Sequence, residues 1–244
     1  MAERVRGRRA FSVGSVLART FPIWARNIIP FSILSVIVYV PLGIFLFAAA
    51  PSDGDTDSIL AYVGAYVLLL LVLQQVVAGA LIYGVFQQLR GERAGFADCL
   101  RVGFARLLPV VAVGVLAALL ALLGLFLLII PGIILACMYW VAVPVAVVEK
   151  PGVIASLKRS AQLTSGEKGS VFVILFLLNV IQQVASKIVD AVTGQSEGFA
   201  AIATSLVLTI AFGMLSAVAS AVGYHDLRVS KEGVGIEDLV KVFE

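Results

Sequence analysis

The chain has 244 residues, of which 61% are hydrophobic and only 14% are charged. Soluble domains carry about a quarter charged residues, so this composition excludes an ordinary soluble protein. The formal net charge of +3 indicates little by itself, whereas the positions of the charges along the chain are informative.

Six apolar segments follow one another, each close to the roughly 20 residues that a helix needs to cross a bilayer. Backbone polar groups in lipid must be satisfied within their own segment, which predicts helices, and the alternating pattern of a membrane barrel is absent. The predicted spans are Ile28–Ala50, Ile59–Gly84, Leu107–Ile130, Gly132–Val148, Val171–Val192 and Phe199–Tyr224. The sequence therefore predicts an all-α, polytopic membrane protein with six transmembrane helices.

Basic residues predict the orientation of these spans. All but one of the 18 Lys and Arg residues lie before span one, between spans two and three, between spans four and five, or after span six; Lys187 is the exception. Positive residues mark the cytoplasmic side, so both termini are predicted to be cytoplasmic. We expect a single membrane domain over residues 1–244, with a cytoplasmic tail and interfacial helix (1–27), six spans (28–224) and a second cytoplasmic tail (225–244).

Short basic segments precede spans one, three and five: "FSVGSVLARTF", "GFADCLRVGF" and "GVIASLKRSA". In each, the inner positions follow i, i+3, i+4 and i+8, which is one face of a helix. These positions are Val13/Val16/Leu17/Phe21, Phe96/Cys99/Leu100/Phe104 and Val153/Ser156/Leu157/Ala161. Amphipathic helices with cations beside the apolar stripe lie in the headgroup layer. The pattern predicts three divergent hairpin repeats, each preceded by an interfacial helix; the alternative is a chance resemblance among short loops.

A fourth amphipathic helix is predicted near the C-terminus, where four apolar residues share one face at i, i+3, i+4 and i+7. They are Ile236, Leu239, Val240 and Phe243.

Amide side chains occur near the middle of two spans. Gln74 and Gln75 lie in span two, and Asn179, Gln182 and Gln183 lie in span five. Amides in lipid commonly form hydrogen bonds between helices, which predicts a role in helix packing. If spans two and five face each other, the same amides would line a polar passage.

Charged residues at the predicted interface form a second group of candidates. The candidates for interfacial or lipid contact are Arg19, Arg101, Glu149, Lys158 and Arg159. Glu149 at the end of span four has two interpretations: a carboxylate that binds a cation or headgroup or couples protons, or an anchor paired with Lys158, Arg159 or another arginine. Its interfacial position, away from the midplane, favours the anchor.

Three further expectations concern single spans. Lys187 and Asp190, three residues apart, are expected to pair with each other. Span six carries a ridge of small residues at four-residue intervals (Gly213, Ala217, Ala221), for which there are two interpretations: packing inside the monomer, which we favour, or a dimer interface. Pro41 and Pro144 are expected to kink spans one and four.

No pattern typical of catalysis occurs in the sequence. The single histidine, His225, lies beside Asp226 without a recognisable nucleophile or metal ligand, and Cys99 and Cys137 fall in segments that cannot meet. There is no glycine-rich phosphate loop, and the "RVRGRR" tail is typical of a topogenic segment. We therefore expect no enzymatic activity, no cofactor or metal, and no nucleic-acid partner.

The segment from Pro131 to Gly166 resembles a known family. Its pattern "PGI…Y…P…E…ASLKRSAQLTSG" is similar to that of bacterial six-span proteins, namely the membrane domain named after glycerophosphoryl diester phosphodiesterases and the related YciC-like inner-membrane proteins. The matching residues are Pro131-Gly132, Tyr139, Pro144, Glu149, Ala155, Ser156-Leu157, Arg159-Ser160, Leu163-Thr164 and Gly166. The resemblance implies a bacterial inner-membrane protein whose membrane domain is sometimes fused to a phosphodiesterase. Those phosphodiesterases use a soluble barrel with a metal cluster of His and carboxylates, which these residues do not supply, so the activity is not carried over.

Two functional hypotheses follow. The first is a non-enzymatic inner-membrane protein that acts as a lipid-associated scaffold or an accessory to membrane machinery. Its expected partners are membrane lipids, anionic on the cytoplasmic face, and a membrane protein or second copy of the chain. The alternative, suggested by the amides and the repeat, is a transporter or flippase-like carrier of a lipid or small amphiphile.

Overall fold

A computed structural model describes residues 11–49, 55–89, 101, 107–193 and 199–233. These ranges form helices and contain no strand. The helices are α1 (Val13–Arg26), α2 (Ile28–Ala48), α3 (Thr56–Leu89), α4 (Leu107–Leu127), α5 (Ile129–Tyr139), α6 (Ala142–Val148), α7 (Val153–Thr164), α8 (Lys168–Thr193) and α9 (Phe199–Glu232).

Six stretches of the described chain are long and apolar enough to cross a membrane. They are Ile28–Leu46, Thr56–Leu89, Leu108–Leu127, Ile129–Val148, Lys168–Val192 and Thr204–Glu232. The predicted helical class and the number of long apolar segments are thus confirmed. The last helix continues two turns past Tyr224, where the sequence predicted its end, because the charged residues beyond Tyr224 find partners on α1 and α7.

Prolines mark the beginnings of four helices. Pro30, Pro109, Pro131 and Pro144 are each the third residue of their helix. N–H groups in the first turn lack an acceptor within the helix, so proline removes no hydrogen bond there. The kink predicted at Pro144 is a complete break between α5 and α6, whereas α2 continues through Pro41.

Helices α4 and α5 form a tight hairpin that depends on glycine. A methyl group on Gly132 would lie 2.5 Å from both the backbone N and the Cα of Leu125. A methyl group on Gly124 would lie 3.0 Å from the Cα of Gly132. Only Leu128 separates the two helices, so the turn comes two residues before the Ile130–Gly132 turn that the sequence predicted.

Helix α9 lies at the centre of the bundle and contacts α1, α2, α3, α6 and α7. Its small residues Ala217, Ala219, Ser220 and Ala221 are buried, which confirms that this ridge packs largely within the monomer. Gly223 leaves room for the ring of Trp140, because a methyl group there would meet the ring at 2.3 Å.

The two described amphipathic helices, α1 and α7, pack against other helices of the protein. In α1, Val16 and Thr20 are fully buried, while Phe21, a residue of the predicted apolar face, is 37% exposed. In α7, the predicted positions Ser156 and Leu157 are buried. The buried face of α7 also includes hydroxyl groups, because it contacts the ends of other helices.

Two of the three predicted hairpins correspond to helices that pack against each other. Helices α2 and α3 pack together, as do α4 and α5, but α8 lies against α1 and α5 more than against α9. Except for Arg101, the segment Phe96–Phe104 lies outside the described residues, and so does Ile236–Phe243. The threefold repeat remains a prediction.

The hairpin geometry predicts that Gly132→Ala destabilises the protein by roughly 1–3 kcal/mol, because the added methyl group meets rigid backbone. Gly64→Ala in α3 is the matched control, since nothing lies within 4 Å of the position a methyl group would take. Thermal unfolding in mild detergent compares the two variants. Equal stability would contradict the close approach of α4 and α5.

Candidate functional site

A network of ion pairs and hydrogen bonds joins α6, α7 and α9 around Glu149. The Glu149 carboxylate accepts hydrogen bonds from Arg159 Nε at 2.9 Å and from the Tyr224 hydroxyl at 2.8 Å. Arg228 donates to the Tyr224 oxygen at 3.2 Å, and its Nε lies 3.0 Å from Glu232, which also pairs with Arg159. Charge-assisted hydrogen bonds of this kind are the stronger ones in proteins. The network fixes the last turns of α9 against α7.

A smaller cluster joins the same part of α9 to α1. Arg19 donates to Asp226 at 2.9 Å, and Nδ1 of His225 lies 3.1 Å from the same carboxylate oxygen. The Ser15 hydroxyl is 3.5 Å from the other oxygen of Asp226. Helix α9 is therefore held between α1 and α7. We refer to this end of the bundle as the α7 end.

Hydroxyl and amine groups satisfy the helix termini at the α7 end. Ser160 donates to the Met138 carbonyl at 2.8 Å and Thr164 donates to it at 3.2 Å. That carbonyl lies in the last turn of α5, and because the helix breaks before α6, no backbone N–H of a continuing helix donates to it. Lys231 donates to the carbonyls of Gln162 and Ser165 at the end of α7. The break in span four is thus stabilised by α7.

These contacts show which partners three of the charged candidates from the sequence have in the structure. Glu149 pairs with Arg159, one of the partners considered for an anchor, and Arg19 pairs with Asp226. Burial lowers the pKa of the Arg159 guanidinium, but the hydrogen bonds and charges of Glu149 and Glu232 outweigh that effect and raise the pKa above its ordinary value. Two of the four predicted lipid-contacting cations therefore act within the protein.

Lys158 and Arg101 differ from those two cations, because both are exposed. They remain the candidates for contact with lipid headgroups.

The amides of span two lie beside a polar pocket inside the bundle, which we call the inner pocket. Its volume is about 140 Å³, and its polar lining comes from α2, α3, α9 and the break in span four. The polar residues that line it are Tyr39, Gln74, Gln75, Trp140, Ser216 and Ser220. The indole Nε1 of Trp140 is buried without a hydrogen-bond partner in the described chain.

The amides of span five lie at a second pocket, between α8 and α9, with a volume of about 160 Å³. Asn179 and Gln182 line it together with Ser216, which also lines the inner pocket. Gln183 is exposed. Helices α3 and α8 do not pack together in the described chain, since α9 lies between them. The two amide groups thus flank α9 instead of facing each other.

None of these five amides forms a hydrogen bond within the described part of the chain. The hydrogen bonds between spans that the sequence predicted for them are therefore not present there. An amide pair of that kind occurs elsewhere: Asn27 at the start of α2 donates to Gln88 of α3 at 2.6 Å.

Lys187 and Asp190 are both exposed, and no ion pair joins them in the described ranges. Their predicted pairing is wrong.

An apolar groove adjoins the inner pocket. It has a volume of about 580 Å³ and lies between α2 and α9. Its lining residues are Val36, Tyr39, Val40, Gly43, Ile44, Ala48, Leu206 and Ile210. Tyr39 lines both spaces, so the polar pocket and the apolar groove meet at this side chain.

Sequence reasoning missed the α9 half of the ion network. Asp226, Arg228 and Glu232 follow an apolar span and were assigned to a tail. A signal was present: Tyr224, Arg228 and Glu232 are four residues apart and therefore share one face of a continued helix. Across the described residues, no group of three or more His, Cys, Asp or Glu side chains is placed to hold a metal ion.

Comparisons with known proteins give no assignment: the chain matches no family model, no curated protein and no solved structure. The family resemblance of the Pro131–Gly166 segment therefore stays a prediction.

The ion network predicts that Arg159→Met destabilises the protein by about 1–3 kcal/mol, because Glu149 and Glu232 lose a charged donor. Lys158→Met is the matched control, because Lys158 is the residue next to Arg159 and its side chain is exposed. Thermal unfolding in mild detergent measures both variants. Equal losses of stability would contradict a structural role for the network.

Proposed function

We propose that the protein binds an amphiphile between α2, α3 and α9, with its polar end in the inner pocket and its apolar part in the adjoining groove. The observation that carries this proposal is the junction at Tyr39 between a pocket with unpartnered amides and a large apolar groove. Polar groups left without partners in lipid are costly, and a ligand with a polar head supplies those partners.

The lining chemistry favours a small, uncharged polar head. The polar groups of the inner pocket are amides, hydroxyls and an indole, and among the described residues no Asp, Glu, Lys or Arg lines it. Amides and hydroxyls both donate and accept hydrogen bonds, so they suit hydroxyl or amide groups on the ligand. A volume of about 140 Å³ excludes a large head. Neutral lipids such as diacylglycerols have the required combination of head and chains.

The membrane context follows from the sequence. With the positive side inward, the α7 end is cytoplasmic, and the inner pocket and the apolar groove lie progressively further from it. The resemblance of the Pro131–Gly166 segment implies a bacterial inner membrane, and we adopt that location as part of the proposal. A site that begins within the membrane and opens sideways to lipid suits a carrier of amphiphiles, which was the alternative hypothesis from sequence.

The scaffold hypothesis remains the second candidate, favoured by the exposure of Lys158 and Arg101. It ranks lower because Arg19 and Arg159, which the sequence assigned to lipid contact, are used within the bundle. If these exposed cations bind anionic lipid, Lys158→Ala with Arg101→Ala reduces the binding of phosphatidylglycerol but not that of diacylglycerol.

Filling the groove tests the proposed function. Gly43 lines the groove and has nothing within 4 Å of the position of an added methyl group, so we expect the side chain of Gly43→Phe to extend into the groove. We expect this variant to bind dioleoylglycerol about tenfold more weakly, which corresponds to about 1.4 kcal/mol. Native mass spectrometry of the detergent-solubilised protein, titrated with dioleoylglycerol, measures the bound fraction.

Gly64→Phe is the matched control, because Gly64 is exposed on α3 and lies outside the groove. Its diacylglycerol binding should equal that of the wild type. Unchanged binding in Gly43→Phe, or equal loss in both variants, would contradict the proposed site.

A further inference from the structure

A polar stripe runs along one side of α8 from the middle of the helix towards the end furthest from the α7 end. It consists of Asn179, Gln182, Gln183, Lys187 and Asp190, all of them exposed. Their spacing of i, i+3, i+4, i+8 and i+11 places them on one side of a helix. Since Lys168–Val192 is long and apolar enough to cross a membrane, this α8 stripe lies within the predicted bilayer.

The packing of α8 leaves the stripe uncovered. The buried side of the helix carries Val171, Ile174 and Leu178, which all lie in its first half. Further along, Val184 is 52% and Val192 is 81% exposed, while Ala185, Ser186 and Val189 are half-buried, so this half packs less closely against the bundle. The second pocket brings α9 near Asn179 and Gln182 only. Gln183, Lys187 and Asp190 have no partner in the described chain.

Lipid is an unfavourable neighbour for such a surface. Charged residues in membrane-spanning helices almost always face protein or a water-filled cavity and pair with one another. Lys187 and Asp190 do not pair with each other in the part of the chain that the structure describes. A water-filled path would need an opposite wall, and the described helices supply one only beside Asn179 and Gln182.

We propose that the α8 stripe is the interface of a homodimer, in which two copies of α8 pack side by side. A twofold axis along the membrane normal places the same residue of each copy at the same depth. Lys187 of each copy then lies near Asp190 of the other, giving two ion pairs. The amides of Gln183 meet in the same way, because an amide both donates and accepts. The stripe is self-complementary, which favours a second copy over a different partner.

This interface is separate from the amphiphile site, whose lining comes from other helices. Loss of dimerisation therefore does not imply loss of amphiphile binding, and loss of amphiphile binding does not imply loss of dimerisation.

Charge reversal tests the homodimer. Lys187→Asp leaves each stripe with two acidic residues, and Asp190→Lys leaves each with two basic residues. We expect either variant alone to self-associate at least about tenfold more weakly than the wild type. Mixing the two variants should restore association, because each then meets a stripe of opposite charge. The double variant Lys187→Asp with Asp190→Lys should also associate.

Energy transfer between donor- and acceptor-labelled protein in phosphatidylcholine vesicles, diluted with lipid, measures association. Asp57→Lys is the matched control for charge, since Asp57 is exposed at the start of α3. Restored association in the mixture supports the proposal, and it also shows that both variants fold.

A wild-type protein that stays monomeric at every dilution would overturn the proposal. So would a dimer that both charge variants leave intact, or a mixture that associates no better than its components.

Discussion

The carboxylate of Glu149 is the contact on which the arrangement of the α7 end depends. It stands where span four ends and accepts hydrogen bonds from Arg159 of α7 and Tyr224 of α9, so three helices meet at one side chain. Tyr224 is completely buried, and its hydroxyl would otherwise lack an acceptor. Because α7 is fixed by this contact, its Ser160 can satisfy the Met138 carbonyl that the break in span four exposes. The broken span and α7 therefore stabilise each other.

The helices themselves were largely predictable, because a run of apolar residues long enough to span a bilayer has few other solutions. The true end of α9 could not be predicted in this way. Asp226 and Arg228 look like the beginning of a polar tail when only their neighbours in sequence are considered. Asp226 is held by Arg19, 207 residues away, and Arg228 lies beside Glu149 on span four. Hydropathy carries no information about partners so distant in the chain.

The candidate site was predicted in part. The sequence identified the amides as unusual, and each pair does line a polar pocket, Gln74 with Gln75 and Asn179 with Gln182. It did not predict that they would lack partners, because that depends on which helices are neighbours. Helix α9 separates the two groups, and its small residues allow it to occupy this central position. Apolar periodicity shows which face of each helix is apolar, but it does not show the order in which the helices are arranged around the bundle.

One constraint explains three different polar surfaces in this protein. A polar group that leaves water must find a partner, and the possible partners differ with depth in the membrane. At the α7 end, charged residues are close enough to satisfy one another, as Arg159 and Glu149 do. In the inner pocket the polar groups are neutral and line a small space, which suits the head of an amphiphile. Along α8, Lys187 and Asp190 face outward with opposite charges, which suits another copy of the same helix. The stripe and the pocket thus share one requirement, since each carries polar groups whose partners the described helices do not provide.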